Sequence, residues 1–133
     1  MSDATHKQVA GRFETLENVL HLWFPQIVRL VDPASVQVFF DEVTRDWIEP
    51  TPGRFYLLVN YANLHIAAHV AADYARNIQR FQHRLLGTFR YGVPGDFTGV
   101  AVSVGNMQLK TRAHLYENEA AARAAIEAAK RGK

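Results

Sequence analysis

From Arg54 to Asn60 the chain reads RFYLLVN, and its five consecutive apolar residues, Phe55 to Val59, sit between a Thr-Pro-Gly turn and a long helical pattern. A strand without alternation has no face to give to water, so the run suits a sheet covered by helices on both sides. It predicts a central strand, with Tyr61-Ala62-Asn63 as a short loop into the next helix.

Length allows one such core. At 133 residues the chain is expected to be a single domain over 1–133, with 1–7 and 131–133 as frayed tails. Fifteen basic against 13 acidic residues, a net charge of +2, is too balanced to imply nucleic acid. The absence of cysteine excludes disulfides, thiolate catalysis and Cys-containing metal sites, and fits a reducing compartment. MSDATHKQVAGRFE has neither a basic n-region nor an apolar h-region, and no apolar run approaches the roughly 20 residues of a membrane span. A cytoplasmic protein without membrane contact is the expectation.

The segment before the central strand divides in two. Val19, His21 and Trp23 can share one face of a strand and Leu20, Leu22 and Phe24 the other, which predicts two N-terminal strands turning at Glu17-Asn18. A helix over Glu14 to Leu22 is the competing assignment. Asp32 as N-cap, Pro33 at the first helical position and Val36, Phe39, Phe40, Val43 and Trp47 at helical spacing predict a helix from Pro33 to Ile48. Its outer face, Asp41, Glu42, Asp46 and Glu49, is acidic.

After the central strand, Ala67, Ala71, Tyr74, Ile78, Phe81 and Leu85 predict a second helix from a cap at Asn63 to about Leu86. Its opposite face, His69, Arg76, Arg80, His83 and Arg84, is basic, and the two complementary faces predict self-association into a homo-oligomer. Gly87 to Asp96 is a loop or short strand. Phe97 to Val104 and Met107 to Tyr116 read as an antiparallel pair about Gly105-Asn106, and Glu117 to Lys130 as a closing helix capped by Asn118. The fold class is therefore α/β or α+β, one mixed sheet of about five strands with three helices.

The order strand, strand, helix, central strand, helix, strand, strand, helix resembles the STAS domain of anti-sigma-factor antagonists and sulphate transporters, over residues 8–130. FYLLVNYANL is similar to that family's apolar strand and following loop, and AHLYENEAAARAAI to its last strand and closing helix. The family's regulatory members carry a phosphorylated serine at the start of the helix after that strand, whereas NLHIAAHVAAD, Asn63 to Asp73, holds no serine or threonine. Asn60 stands where the family has an acidic residue, and the Gly-Asn hairpin leaves little room for a helix between the last two strands. The resemblance implies a non-catalytic regulatory module that docks a protein partner or small ligand, without a serine switch.

Residues with chemistry are sparse. In a helix, His65, His69 and Asp73 would share one face at a spacing that can chelate Zn²⁺, but Ile66 stands where His-Glu-x-x-His needs its general base, so no metal or other cofactor is expected. Ser2, Ser35 and Ser103 occupy no nucleophile elbow, and the glycines form no phosphate-binding fingerprint. In open α/β sheets ligands gather outside the carboxyl ends of the strands. The expected binding surface is therefore Asn60, Tyr61, Asn63 and His65, with Arg90 and Tyr91 as neighbours, facing a protein partner or a small anionic ligand. A small enzyme or ligand carrier with a pocket at that place is the alternative.

Overall fold

The computed structural model describes residues 8–92 and 114–132. Its main sheet has five strands in the order β1-β2-β4-β6-β7, where β1 is Ala10–Glu14, β2 Val19–Trp23, β4 Phe55–Asn60, β6 Leu85–Tyr91 and β7 His114–Tyr116. β1 and β2 are antiparallel, while β2, β4, β6 and β7 run parallel, so the sheet is mixed and β4 lies at its centre. A second, two-stranded sheet pairs β3, Val28–Leu30, with β5, Leu64–Ile66. Helix α1 is Pro33–Val43, α2 is Ala71–Gln79 and α3 is Glu119–Arg131.

The run without alternation is buried on both faces. Phe55, Leu57 and Val59 join Val36, Phe39, Phe40 and Val43 of α1 and Tyr74 and Ile78 of α2 in one core. Tyr56 and Leu58 join Val19, Phe89, Ala122 and Ile126 in the other, under α3. Burial of each large side chain contributes about 1.5–3 kcal/mol, so β4 alone commits the chain to a three-layer arrangement.

Sequence and structure agree on the β1–β2 turn and on the caps of α1 and α3. The β1–β2 turn closes at Asn18, whose φ of 59° is a left-handed value that asparagine tolerates. Its side-chain N–H donates to the Arg54 carbonyl (2.9 Å), which ties the turn to the start of β4. Asp32 and Ser35 form a capping box, and α1 continues through a π-helical turn, Thr44–Ile48. Asn118 caps α3 through the N–H of Ala121. Arg131, expected to fray, is the last residue of that helix.

The second helix is where the two part. Asn63 caps nothing: its side-chain N–H donates to the Phe24 carbonyl (2.7 Å) and its own carbonyl accepts from Val28 N–H (2.8 Å). Leu64-His65-Ile66 alternates buried, half-buried, buried, the period of a strand, and β3 supplies the ladder it needs. Helical structure begins with a 3₁₀ turn at Ala68–Val70 and α2 stops at Gln79, after which Gln82–Arg84 is a further 3₁₀ turn into β6. Arg84 fastens that turn by donating to the carbonyls of Gly53 and Thr51. The apolar stripe from Ala67 to Leu85 is buried throughout, so its period reported burial correctly but not one continuous element.

The outer faces differ as well. Glu42 is buried, and its carboxylate accepts from the N–H groups of Gln8 (2.9 Å) and Val9 (2.9 Å). Asp41 meets Arg80, just past the end of α2, at 3.7 Å, so part of the acid–base complementarity expected between copies is used within one chain. The antiparallel pair about Gly105-Asn106 lies outside the described residues except for His114–Tyr116, which is a strand, parallel to β6.

Candidate functional site

At the carboxyl edge of the main sheet, β2, β4 and β6 gather polar side chains on both faces. On the α1–α2 side, Tyr61 leaves β4 as the chain turns and is 1% exposed. Its N–H donates to the Tyr91 carbonyl (2.7 Å), which fixes the turn. Its hydroxyl accepts from Arg90 Nε (3.0 Å) and shares a hydrogen bond with the Tyr74 hydroxyl, while the Arg90 guanidinium lies over the Tyr61 ring, 5.9 Å from its centre. Arg90 is 4% exposed, a cation taken out of water, and such a group needs hydrogen-bond acceptors and a polarisable ring close by. Burial holds the Tyr74 phenol well above its ordinary value, so it stays neutral.

Beside these groups is an apolar cavity between sheet and helices, walled by Phe40, Val59, Tyr61, Tyr74, Phe81 and Arg90 among others, with about 30 Å³ of room for the centre of a water molecule. About 10–15 Å³ on that measure holds one water, so this space has room for about two.

On the α3 side the groups form a closed ring. Arg123 of α3 donates to Glu119 Oε2 (2.8 Å) and to both oxygens of Glu14 on β1 (2.8 and 2.7 Å). Its Nη2 also lies 3.4 Å from His21 Nδ1. Since a guanidinium only donates, Nδ1 is the acceptor and Nε2 carries the proton toward the Tyr91 hydroxyl (2.7 Å). Tyr91 in turn donates to Glu119 Oε1 (3.4 Å). The ring thus runs Arg123, His21, Tyr91, Glu119 and back to Arg123.

Its electrostatics follow from that geometry. The Arg123 hydrogen bonds hold Glu14 and Glu119 below the usual carboxylate range, and the bond to Glu14 most strongly raises Arg123 itself. Burial pulls the His21 imidazole down and pushes the Tyr91 phenol up to about 12. At neutral pH the ring holds one cation, one carboxylate, a neutral imidazole and a neutral phenol, with the Glu14 carboxylate bound to its cation.

The six residues expected to form one binding surface are therefore split. Tyr61 and Arg90 point into the α1–α2 core, and Tyr91 joins the α3 ring. Asn60 accepts from Ala62 N–H (2.9 Å), and Gly92, at φ 77°, leaves the space its side chain occupies. Asn63 ties β5 to the end of β2. His65 sits on β5, whereas His69 is in the following turn with Nε2 2.6 Å from the Val31 carbonyl, and Asp73 pairs with Arg76. The spacing expected to make a metal-ligand face belongs to a helix that does not form there, and among the described residues no three potential ligands converge.

His65 finds other company. Arg29 pairs with it across the β3–β5 ladder, and Ile27 and Val31 flank Arg29 on the same outward side of the strand. Ile27 is 57% and Val31 50% exposed, so this small sheet shows water two large apolar side chains beside an exposed guanidinium and an imidazole. The alternation in IVRLV was the available signal. Glu119 and Arg123 were also legible as an i,i+4 pair, but nothing local announces Glu14, 109 residues away.

Compared with protein-family models, with curated proteins and with solved structures, the chain has no match.

Proposed function

We propose that this protein is a non-catalytic, STAS-like regulatory or protein-interaction module that works without a serine phosphoswitch. The observation that carries the proposal is the outward face of the β3–β5 sheet, where Ile27, Arg29, Val31 and His65 stand side by side next to the carboxyl edge of β4. Apolar side chains beside a guanidinium are what protein interfaces favour. The ionisable groups of the nearby edge are engaged with one another, an arrangement that supports rigidity rather than turnover.

The pocket reading rests on the cavity beside Tyr61, Tyr74 and Arg90, which stands at the place such folds use for ligands. At about 30 Å³ it would have to open before admitting a small anionic molecule.

A thermal-shift panel of metals, nucleotides and metabolite acids, paired with affinity capture by wild type and by the double variant Ile27→Asp, Arg29→Glu, separates the two. The module reading expects no shift in the panel, and a stoichiometric partner captured by wild type and lost from the variant at unchanged melting temperature. A ligand that raises the melting temperature by several degrees, in wild type and variant alike, would replace it with the pocket reading.

A further inference from the structure

Each strand of a two-stranded sheet has one edge without a neighbour, and on β3 that edge is open at Arg29. Val28 N–H donates to the Asn63 carbonyl (2.8 Å), and the Leu30 carbonyl accepts from Ala67 N–H (2.9 Å). In a parallel ladder the N–H and C=O of one residue point to the same side and those of the next residue to the other. Arg29, between Val28 and Leu30, therefore turns both backbone groups away from β5. Further along the same edge Val31 is engaged: its N–H donates to Ser35 Oγ (3.0 Å), and its carbonyl lies 2.6 Å from His69 Nε2.

The Arg29 side chain is as open as its backbone. It is exposed, and among the described residues its guanidinium has no ion pair, side-chain hydrogen bond or ring contact. Arg12, Arg45, Arg76, Arg80 and Arg123 each meet a carboxylate. Asp32, the carboxylate nearest to Arg29 in sequence, is held by Ser35 N–H (2.7 Å) as the cap of α1. Two places to either side of Arg29, Ile27 and Val31 are the exposed apolar pair of this face.

We infer that this edge receives an extended segment of a partner protein by strand addition, and that the segment sets an acidic side chain opposite Arg29 with an apolar residue two places to either side. The inference rests on the β3–β5 face being the docking surface and names what docks there. Three features converge on that occupant. The free N–H and C=O suit an extended backbone, the unpaired guanidinium suits a carboxylate, and the flanking apolar pair suits apolar side chains at a period of two. The pattern apolar-x-acidic-x-apolar reads the same in both directions, so it serves parallel and antiparallel addition alike. A second copy of the chain fits worse, because joining the two free edges sets Arg29 against Arg29, and like charges directly opposite are unfavourable. A helix has its backbone groups already bonded and leaves those of Arg29 unmet.

The test displays random peptides to the intact chain, with the double variant Ile27→Asp, Arg29→Glu as counter-target. Peptides enriched by wild type and not by the variant should carry the apolar-x-acidic-x-apolar pattern, and a synthetic peptide of that consensus should bind. Arg29→Glu should weaken it about tenfold, and exchanging the peptide's acidic residue for lysine should restore binding to that variant. Arg29→Gln, which removes the charge and keeps much of the size, should give a smaller loss in the same direction. N-methylation should abolish binding at alternate peptide residues only, because a strand turns every second N–H to its neighbour. Bound peptide should slow hydrogen exchange at Arg29 N–H. Enriched peptides without the acidic residue, equal binding by Arg29→Glu, N-methylation effects without a period of two, or no enrichment at all would each overturn the inference. A folded partner lost from the double variant while no peptide is enriched would overturn strand addition and leave the docking reading standing. A partner captured equally by wild type and double variant would remove both.

Discussion

On the α1–α2 side of the sheet a guanidinium that is 4% exposed, Arg90, is held against the hydroxyl and ring of Tyr61; on the α3 side Arg123, whose side chain is 32% exposed, is held by two carboxylates. Both lie near one edge and both join a helix layer to the sheet. Where water is excluded, the arrangement is stabilised by packing and by the cost of stranding a buried charge. Where water reaches, the ion pairs are strong in geometry but screened in energy. The two sides should therefore answer differently to truncation, to salt and to acid.

The largest expected effect is on the dry side. Tyr61→Ala removes a fully buried ring and the acceptor of Arg90 Nε, and should cost roughly 3–5 kcal/mol of unfolding free energy in urea titrations. Tyr61→Phe keeps the ring and should cost about 1–3 kcal/mol, the penalty of taking the hydroxyl from Arg90 Nε and from the Tyr74 hydroxyl. Tyr61 thus acts from the core, not from the binding surface on which the sequence placed it. Tyr61→Ala behaving like wild type would mean that the Tyr61–Arg90 contact does not organise the edge.

How far the sequence anticipated this depended on the range of the interaction concerned. The missing alternation in Phe55–Val59 identified the central strand because burial on both faces leaves its mark inside five residues. Asp32 with Pro33, and Asn118, marked helix starts for the same reason: a cap acts within one turn. The β3–β5 pair was missed because three-residue strands carry almost no local pattern and exist only through each other, and a helical stripe running through Ala67 outweighed Leu64-His65-Ile66. The residues expected to bind do gather near the carboxyl edge of the sheet, but whether a side chain there turns in or out is set by neighbours such as Tyr74 and His21. Sequence gives no distance to those neighbours.

On the wet side a smaller loss is expected. Arg123→Met keeps the side chain's apolar stem against the sheet while releasing Glu14 and Glu119, and should cost about 1–2 kcal/mol after discounting for solvent screening. Added salt should shrink the difference between this variant and wild type, and leave that between Tyr61→Phe and wild type untouched. Equal salt dependence in both pairs would erase the distinction between the two sides.

Acid gives the subtlest separation. The folded state disfavours the proton on His21, whose imidazole burial pulls below the ordinary 6.5, so its contribution is complete above that value and is lost as pH falls through the lower folded one. Glu14 and Glu119 are also depressed, chiefly by Arg123, so their contribution is present above about 4.5 and is lost as pH falls through their folded values. Acidification should therefore weaken the α3 side in two stages, first with His21 and then with the carboxylates. Protonating Nδ1 also turns an acceptor into a donor facing Arg123, so the first stage loosens the contact between α3 and β2 in particular. Urea titrations at stepped pH should show the upper stage in wild type and not in His21→Gln, while Arg123→Met weakens the lower stage. Hydrogen exchange should report the acid-induced opening in α3 before α1. Exchange that rises in α1 and α3 together at the upper stage would show that the ring does not act as a unit separate from the Tyr61 core.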